Sequence, residues 1–170
     1  MVSLPDGHRA TIEKNPTSTG FVGGGFSMDS LEFLVWLAVN FPKDIACLRV
    51  VLYLMGTQEP GGRIRATQRQ VAEALNLHRV HVNQAMGRLT KEHIVHMVER
   101  GVYQLNPQAS LRGGTIKVEE PGRPANRTPV TKRVDQLDLI AELAEDPRVP
   151  EAFTQLALLA RVPNKKTAEG

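Results

Sequence analysis

The stretch TQRQVAEALNLHRVHVNQAMGRL, Thr67 to Leu89, decides how the whole chain is read. Its apolar residues recur at three- and four-residue steps, the period of a helix with one buried face. Val71, Ala72 and Leu75, with Leu77 just beyond, mark a first short helix; Val82, Ala85, Met86 and Leu89 mark a second. Thr67 followed three residues on by Gln70 predicts a capping box, in which each side chain satisfies the other residue's free amide. Asn76 stands at the turn between the helices, and asparagine accepts a left-handed backbone better than most residues. The far side of the second helix carries Arg79, Val80, Asn83, Gln84 and Gly87.

These offsets resemble the helix-turn-helix of DNA-binding proteins. Small Ala72 falls where the two helices cross closely, and Val82 falls at the β-branched position that wedges the second helix onto the first. Asn76 stands where that motif usually has glycine. The resemblance implies that the second helix enters the major groove of duplex DNA. Arg79, Asn83 and Gln84 are then candidates for base edges, since Arg pairs with guanine and Asn or Gln with adenine through bidentate hydrogen bonds; Val80 suits a thymine methyl. Gln68, Arg69, His78, His81, Arg88 and Lys91 are candidates for the DNA backbone. The plainer alternative is a helical hairpin whose polar face is simply solvated.

Charge supports the first reading. The net charge is only +3, but thirteen Lys/Arg stand against five Asp/Glu over residues 61–133, a local net of +8. The flanking stretches, 1–60 and 134–170, are net −2 and −3. Positive charge thus gathers on the motif and on the residues C-terminal to it, where phosphate contacts with counterion release would supply affinity. With 41% hydrophobic residues the chain can bury a core, while 5% aromatic residues argue against a β-sandwich or an aromatic-lined RNA platform. No apolar run reaches the ~18 residues of a membrane span, the N-terminus lacks a signal-like segment, and Cys47 has no second cysteine to pair with. The expectation is a cytoplasmic protein with no membrane contact.

Working outward, residues 1–20 read as a flexible arm. The glycines of GFVGGGFSMDS (20–30) lack the Gly-Lys-Ser/Thr of a nucleotide loop and read as a turn or short strand. Asp29 or Ser30 caps a helix over Leu31–Phe41 that is apolar nearly all round and is stopped by Pro42. Asp44 starts a support helix ended by Gly56, with Ile45, Leu48, Val51, Leu52 and Met55 expected inward. Arg63-Ile64-Arg65 alternates as a short edge strand would. His93 to Pro107 reads as a hairpin with Arg100 and Gly101 at its tip, so Arg100 joins the backbone-contacting candidates. The expected fold is mainly α with a small β-hairpin: a winged helix-turn-helix over 21–114, with flanking N- and C-terminal helices.

The hairpin ends in Tyr103-Gln104-Leu105-Asn106-Pro107, with Arg112-Gly113 a few residues later. Together with the preceding motif this resembles the RepL-type plasmid replication proteins and their MarR-like relatives, over about Phe21 to Gly114. The resemblance implies sequence-specific binding of duplex DNA, at promoters or at a plasmid origin. Residues 115–133, with Pro121, Arg123, Pro124, Arg127, Pro129, Lys132 and Arg133, read as a basic Pro-rich linker. Residues 134–162 read as a helical pair expected to dimerise: Leu137, Ile140, Ala141 and Ala144 face inward in the first helix, Phe153, Leu156, Leu159 and Ala160 in the second. Residues 163–170 read as a frayed tail.

Other chemistry finds no support. His78/His81 and His93/His96 have helical metal-ligand spacing, but no cysteine or carboxylate set completes a four-ligand site. There is no nucleophile elbow and no acidic cluster for magnesium. Neither an enzyme nor a cofactor is expected. The expected partners are double-stranded DNA and a second copy of the chain, with transcriptional regulation ahead of plasmid replication. A protein-interaction adaptor on the same scaffold is the alternative from another class.

Overall fold

The computed structural model describes residues 2–3, 9–10, 25–122, 124, 126–156 and 158. Strands β1 (Val2–Ser3) and β2 (Arg9–Ala10) pair antiparallel within the stretch expected to be a flexible arm. The rest of that arm, Phe21–Gly24 and the tail 163–170 lie outside the described residues.

Strand β3 (Met28–Asp29) leads into α1 (Leu31–Asn40), where Ser30 Oγ accepts from the Phe33 amide at 3.3 Å and so serves as the cap. Phe33, Trp36 and Leu37 are buried, with Trp36 edge-on to Phe41 at 5.3 Å. The opposite side of α1 is apolar too, and it stays exposed. Helix α2 (Ile45–Thr57) starts at Asp44, whose carboxylate accepts from the Cys47 amide at 3.0 Å, and runs one residue past Gly56.

Helix α2 is the central support, but not on the expected face. Its buried residues are Cys47, Val50, Val51 and Leu54, whereas Ile45 and Leu52 are more than half exposed and Leu48 and Met55 only partly covered. Almost every residue of α2 is apolar, so its period leaves the inward stripe open; the elements docked on it make the choice.

Next come β4 (Arg63–Arg65), α3 (Gln68–Leu75), α4 (Arg79–Lys91), β5 (Val95–Glu99) and β6 (Val102–Leu105). The three strands form one antiparallel sheet in the order β4-β6-β5, with Ile64 and Met97 both opposite Tyr103. Arg100 and Gly101 make the tip of the β5–β6 hairpin, and Gly101 takes the left-handed backbone that this tight turn needs (φ +79°). Strand β7 (Ser110–Leu111) pairs with β3, closing the chain that enters α1 onto the chain that leaves the wing.

Four buried polar side chains lock this closure, and each has partners. Gln58 Nε2 donates to the Met55 carbonyl and to Ser110 Oγ, both at 3.0 Å, while its Oε1 accepts from the Arg112 amide at 2.9 Å. Ser110 Oγ donates to Asp29, and Gln104 Nε2 donates to the carbonyls of Gly61 and Leu105. Asn106 Nδ2 donates to the His93 and Phe153 carbonyls.

Beyond this point the chain departs from expectation. The stretch 115–133, expected as a linker, holds β8 (Thr115–Val118) and β9 (Val130–Arg133), paired antiparallel with Ile116 opposite Lys132. Thr115, Ile116, Val118, Val130 and Thr131 are β-branched residues that suit strands; Pro121, Pro124 and Pro129 belong to the loop between them, while Lys117, Lys132 and Arg133 are strand residues. Arg123 lies outside the described residues. Helix α5 (Gln136–Glu145) buries no residue, Leu137 is 75% exposed, and the half-covered positions are Leu139, Ile140 and Leu143. Helix α6 is a single turn (Glu151–Thr154). Phe153 faces inward as expected, and with Leu158 it is buried in this chain's own domain. Residues 157 and 159–162 lie outside the described residues. With six helices and nine short strands among the described residues, the fold mixes helix and strand rather than being mainly α with one hairpin.

Candidate nucleic-acid interface

Both helices of the motif are defined by local hydrogen bonds. At the start of α3 the Thr67 amide donates to Gln70 Oε1 at 2.8 Å and the Gln70 amide donates to Thr67 Oγ1 at 3.2 Å, completing the capping box. At its end Asn76 is left-handed (φ 49°), while the Leu77 amide reaches back to the Ala72 carbonyl and the Asn76 amide to that of Glu73. This is a Schellman turn built on asparagine. Arg49 Nη2 donates to the Leu75 carbonyl at 2.7 Å and pins the turn to α2. Helix α4 ends the same way: the Ile94 amide donates to the Leu89 carbonyl and the His93 amide to that of Thr90, with His93 left-handed at φ 59°.

Helix α4 buries Val82, Ala85, Met86 and Leu89 and turns the rest of its circumference outward. At 100° per residue, Val80, Gln84, Gly87 and Lys91 fall on one line opposite the buried stripe. All four are exposed, Val80 by 63%. Arg79 and Asn83 flank this ridge on the side toward α3, and both are exposed. His78 and His81 sit at the start of α4 with their rings 6.1 Å apart; His78, at the cap position, makes no side-chain cap bond. The outward amides there, at the positive end of the helix dipole, suit a phosphate.

Not every candidate is free. Asn83 Nδ2 donates to Gln68 Oε1 at 3.0 Å, bridging α4 to the start of α3. Arg69 pairs with Glu73 at 2.9 Å one turn along its own helix, where both side chains are well exposed and easily exchanged for a phosphate. Arg88, expected at the DNA backbone, is engaged inside the fold. Its guanidinium pairs with Asp44 at 3.2 Å, donates to the Asn40 carbonyl at 3.0 Å, and lies 4.2 Å over the Phe41 ring. Arg88 thus clamps α4 to the α1–α2 junction and is turned away from the outer ridge. No ion pair among the described residues engages Arg79, Lys91 or Arg100.

The wing brings in residues that were not singled out. Ile64 of β4 is buried while Arg63 and Arg65 are exposed on the same side of the strand. Arg65 is opposite Val102, next to the tip, and pairs with Glu59 at 3.3 Å. The alternation of Arg63-Ile64-Arg65 is visible in the sequence; that β4 lies against β6, beside Arg100, is not. The tip folds back toward α3, since a Cβ on Gly101 would lie 3.5 Å from the Thr67 methyl. Elsewhere, Arg112 Nη1 donates to the Gln58 carbonyl at 3.0 Å, so this member of the Asn-Pro/Arg-Gly element serves the fold. Lys132 is held by Glu142 at 2.9 Å and Asp138 at 3.8 Å against α5. Burial, helped by Asp44, pushes the Cys47 thiol up to about 11, which keeps it protonated and inert.

A support helix, two crossed helices with a polar outer ridge, and a three-stranded wing define a helix-turn-helix domain of the DNA-binding class. A Crp-like helix-turn-helix domain is found at residues 48–109, from early α2 to just past the wing. No curated protein and no solved structure matches the chain.

Proposed function

We propose that this chain is a sequence-specific duplex-DNA-binding regulator of transcription, acting as a homodimer and without enzyme chemistry of its own. The observation that carries the proposal is the outer ridge of α4. Val80, Gln84 and Lys91, flanked by Arg79 and Asn83, stand exposed on a helix held firmly from behind, inside a Crp-like helix-turn-helix domain. Arg79, Val80, Asn83 and Gln84 meet base edges. Gln68, Arg69, His78, His81, Lys91 and the wing residues Arg63, Arg65 and Arg100 meet the sugar-phosphate backbone.

Support for a dimer comes from α1. Leu31, Leu34, Val35, Ala38 and Val39 form one exposed, uncharged stripe, with Leu31 80% exposed. An uncharged stripe can pair with its own copy about a two-fold axis, and two recognition helices would then meet half-sites roughly 34 Å apart. Phe153 and Leu158 already serve the chain's own core, so the support for association lies with α1 more than with residues 134–162.

A second reading, an initiator that marks a plasmid origin and recruits host enzymes, is favoured by Tyr103, Leu105, Asn106, Pro107, Arg112 and Gly113. It uses the same interface and differs in where the DNA site lies. The test is selection of bound fragments from a random duplex pool, followed by affinity measurements over a salt series. An inverted-repeat motif with steep salt dependence is expected; no duplex binding at any salt would leave the adaptor reading standing.

A further inference from the structure

Gly87 sits in the interior of α4, where glycine is the least favourable residue after proline. Nothing inside the protein calls for it. Its backbone is not left-handed, and a Cβ built there would meet no atom within 4 Å. Alanine would fit and would strengthen the helix. Gly87 nonetheless occupies the outer ridge, between Gln84 and Lys91, and is the one position on that line with no side chain.

We infer that Gly87 is a notch in the reading helix that admits the sugar-phosphate wall of the major groove, with Lys91 holding the phosphate that passes it. This rests on the DNA-binding reading above. At 1.5 Å per residue, the helix advances about 12 Å from Arg79 to Gly87, and the major groove is about 12 Å wide. A helix whose first two turns lie among the bases therefore meets the groove wall at Gly87. The missing Cβ lets the strand approach the helix backbone itself, and Lys91, about 6 Å further along the same line, is placed for the phosphate. The four outer positions thereby divide into two base readers, Val80 and Gln84, and a two-residue backbone seat. A methyl group at Gly87 would hold the helix off the wall and draw Lys91 back from its phosphate on any sequence alike.

The test compares full-length Gly87→Ala with full-length Gly56→Ala. Gly56, in the last turn of α2, is also exposed with open space at its Cβ, and lies outside the interface. Both substitutions should keep the circular dichroism spectrum and raise Tm by about 2–4 °C. Anisotropy is then measured on a fluorescein-labelled duplex that the wild-type chain enriched from a random pool, and on an unselected duplex. Gly87→Ala should weaken both by about tenfold, because the wall carries no sequence, while Gly56→Ala should weaken neither. If the wild type binds and Gly87→Ala binds equally well, the notch is wrong and the DNA-binding reading stands. If Gly87→Ala loses only the selected duplex, residue 87 faces a base and the wall assignment fails. If the wild type binds neither duplex, both readings fall together.

Discussion

Arg88→Ala separates the structural clamp from the DNA contact that its position in the sequence suggests. The substitution removes three interactions that join α4 to the α1–α2 junction. The ion pair to Asp44 has both side chains about 40% exposed, so solvent screening leaves it about 0.5 kcal/mol. The hydrogen bond from Nη2 to the Asn40 carbonyl is part-buried and charge-assisted, worth about 1 kcal/mol net. The guanidinium 4.2 Å over Phe41 adds about 0.5 kcal/mol. The total is about 2 kcal/mol of folding stability, equivalent to roughly 4–8 °C in Tm for a chain of this size. Urea unfolding followed by Trp36 fluorescence is a direct assay, because Trp36 packs edge-on to Phe41, the ring that Arg88 covers. Below the new midpoint, affinity for DNA should change less than it does for Lys91→Ala. A variant with unchanged stability but strongly weakened DNA binding would refute the clamp and return Arg88 to the interface.

Gln84→Ala should cost about 1–3 kcal/mol on the preferred duplex and relax the preference at one base position, whereas Lys91→Ala should weaken preferred and unrelated duplexes alike; unchanged selectivity in Gln84→Ala would show that the ridge does not read bases. His93→Gly should stabilise the fold by about 0.5–1 kcal/mol, since a side chain in the left-handed region costs about 1–2 kcal/mol and glycine's extra entropy returns only part of it; a lower Tm would mean that contacts of the His93 ring outweigh its backbone strain. His96 packs 5.7 Å from Phe153, and burial holds its imidazole below the ordinary value of 6.5 despite the nearby Asp146 carboxylate. The unfolded chain therefore binds the proton more readily, so this contribution to stability is complete above pH 6.5 and declines as pH falls below it. His96→Gln should flatten that acid limb in thermal melts recorded across the range, and an unaltered limb would exclude His96 as its source.

The helix-turn-helix could be read from residues alone because its caps, its turn and its buried stripes are local. The buried stripes of α3 and α4, the Thr67–Gln70 box, the left-handed turn at Asn76 and the Arg100–Gly101 tip all act over a few residues, where spacing and side-chain type decide the geometry. His93 gave no such signal: histidine is not a turn marker, and its left-handed backbone arises from how α4 passes into β5. The features that escaped a linear reading depend on distant partners. Arg88 has the charge and the helix position of a phosphate contact, yet Asp44, 44 residues earlier, claims it. The apolar pattern of the C-terminal segment does not say what Phe153 packs against; Asn106 holds the Phe153 carbonyl across 47 residues, and the ring is buried in the same chain. Helix α2 is apolar on too many sides for its own period to select a face, and Ile116 and Lys132 belong to strands only because each finds the other. Local hydrogen bonds and periodicity are written in adjacent residues; the partner of a charge, an apolar face or a strand edge is settled only when the folded chain brings remote segments together.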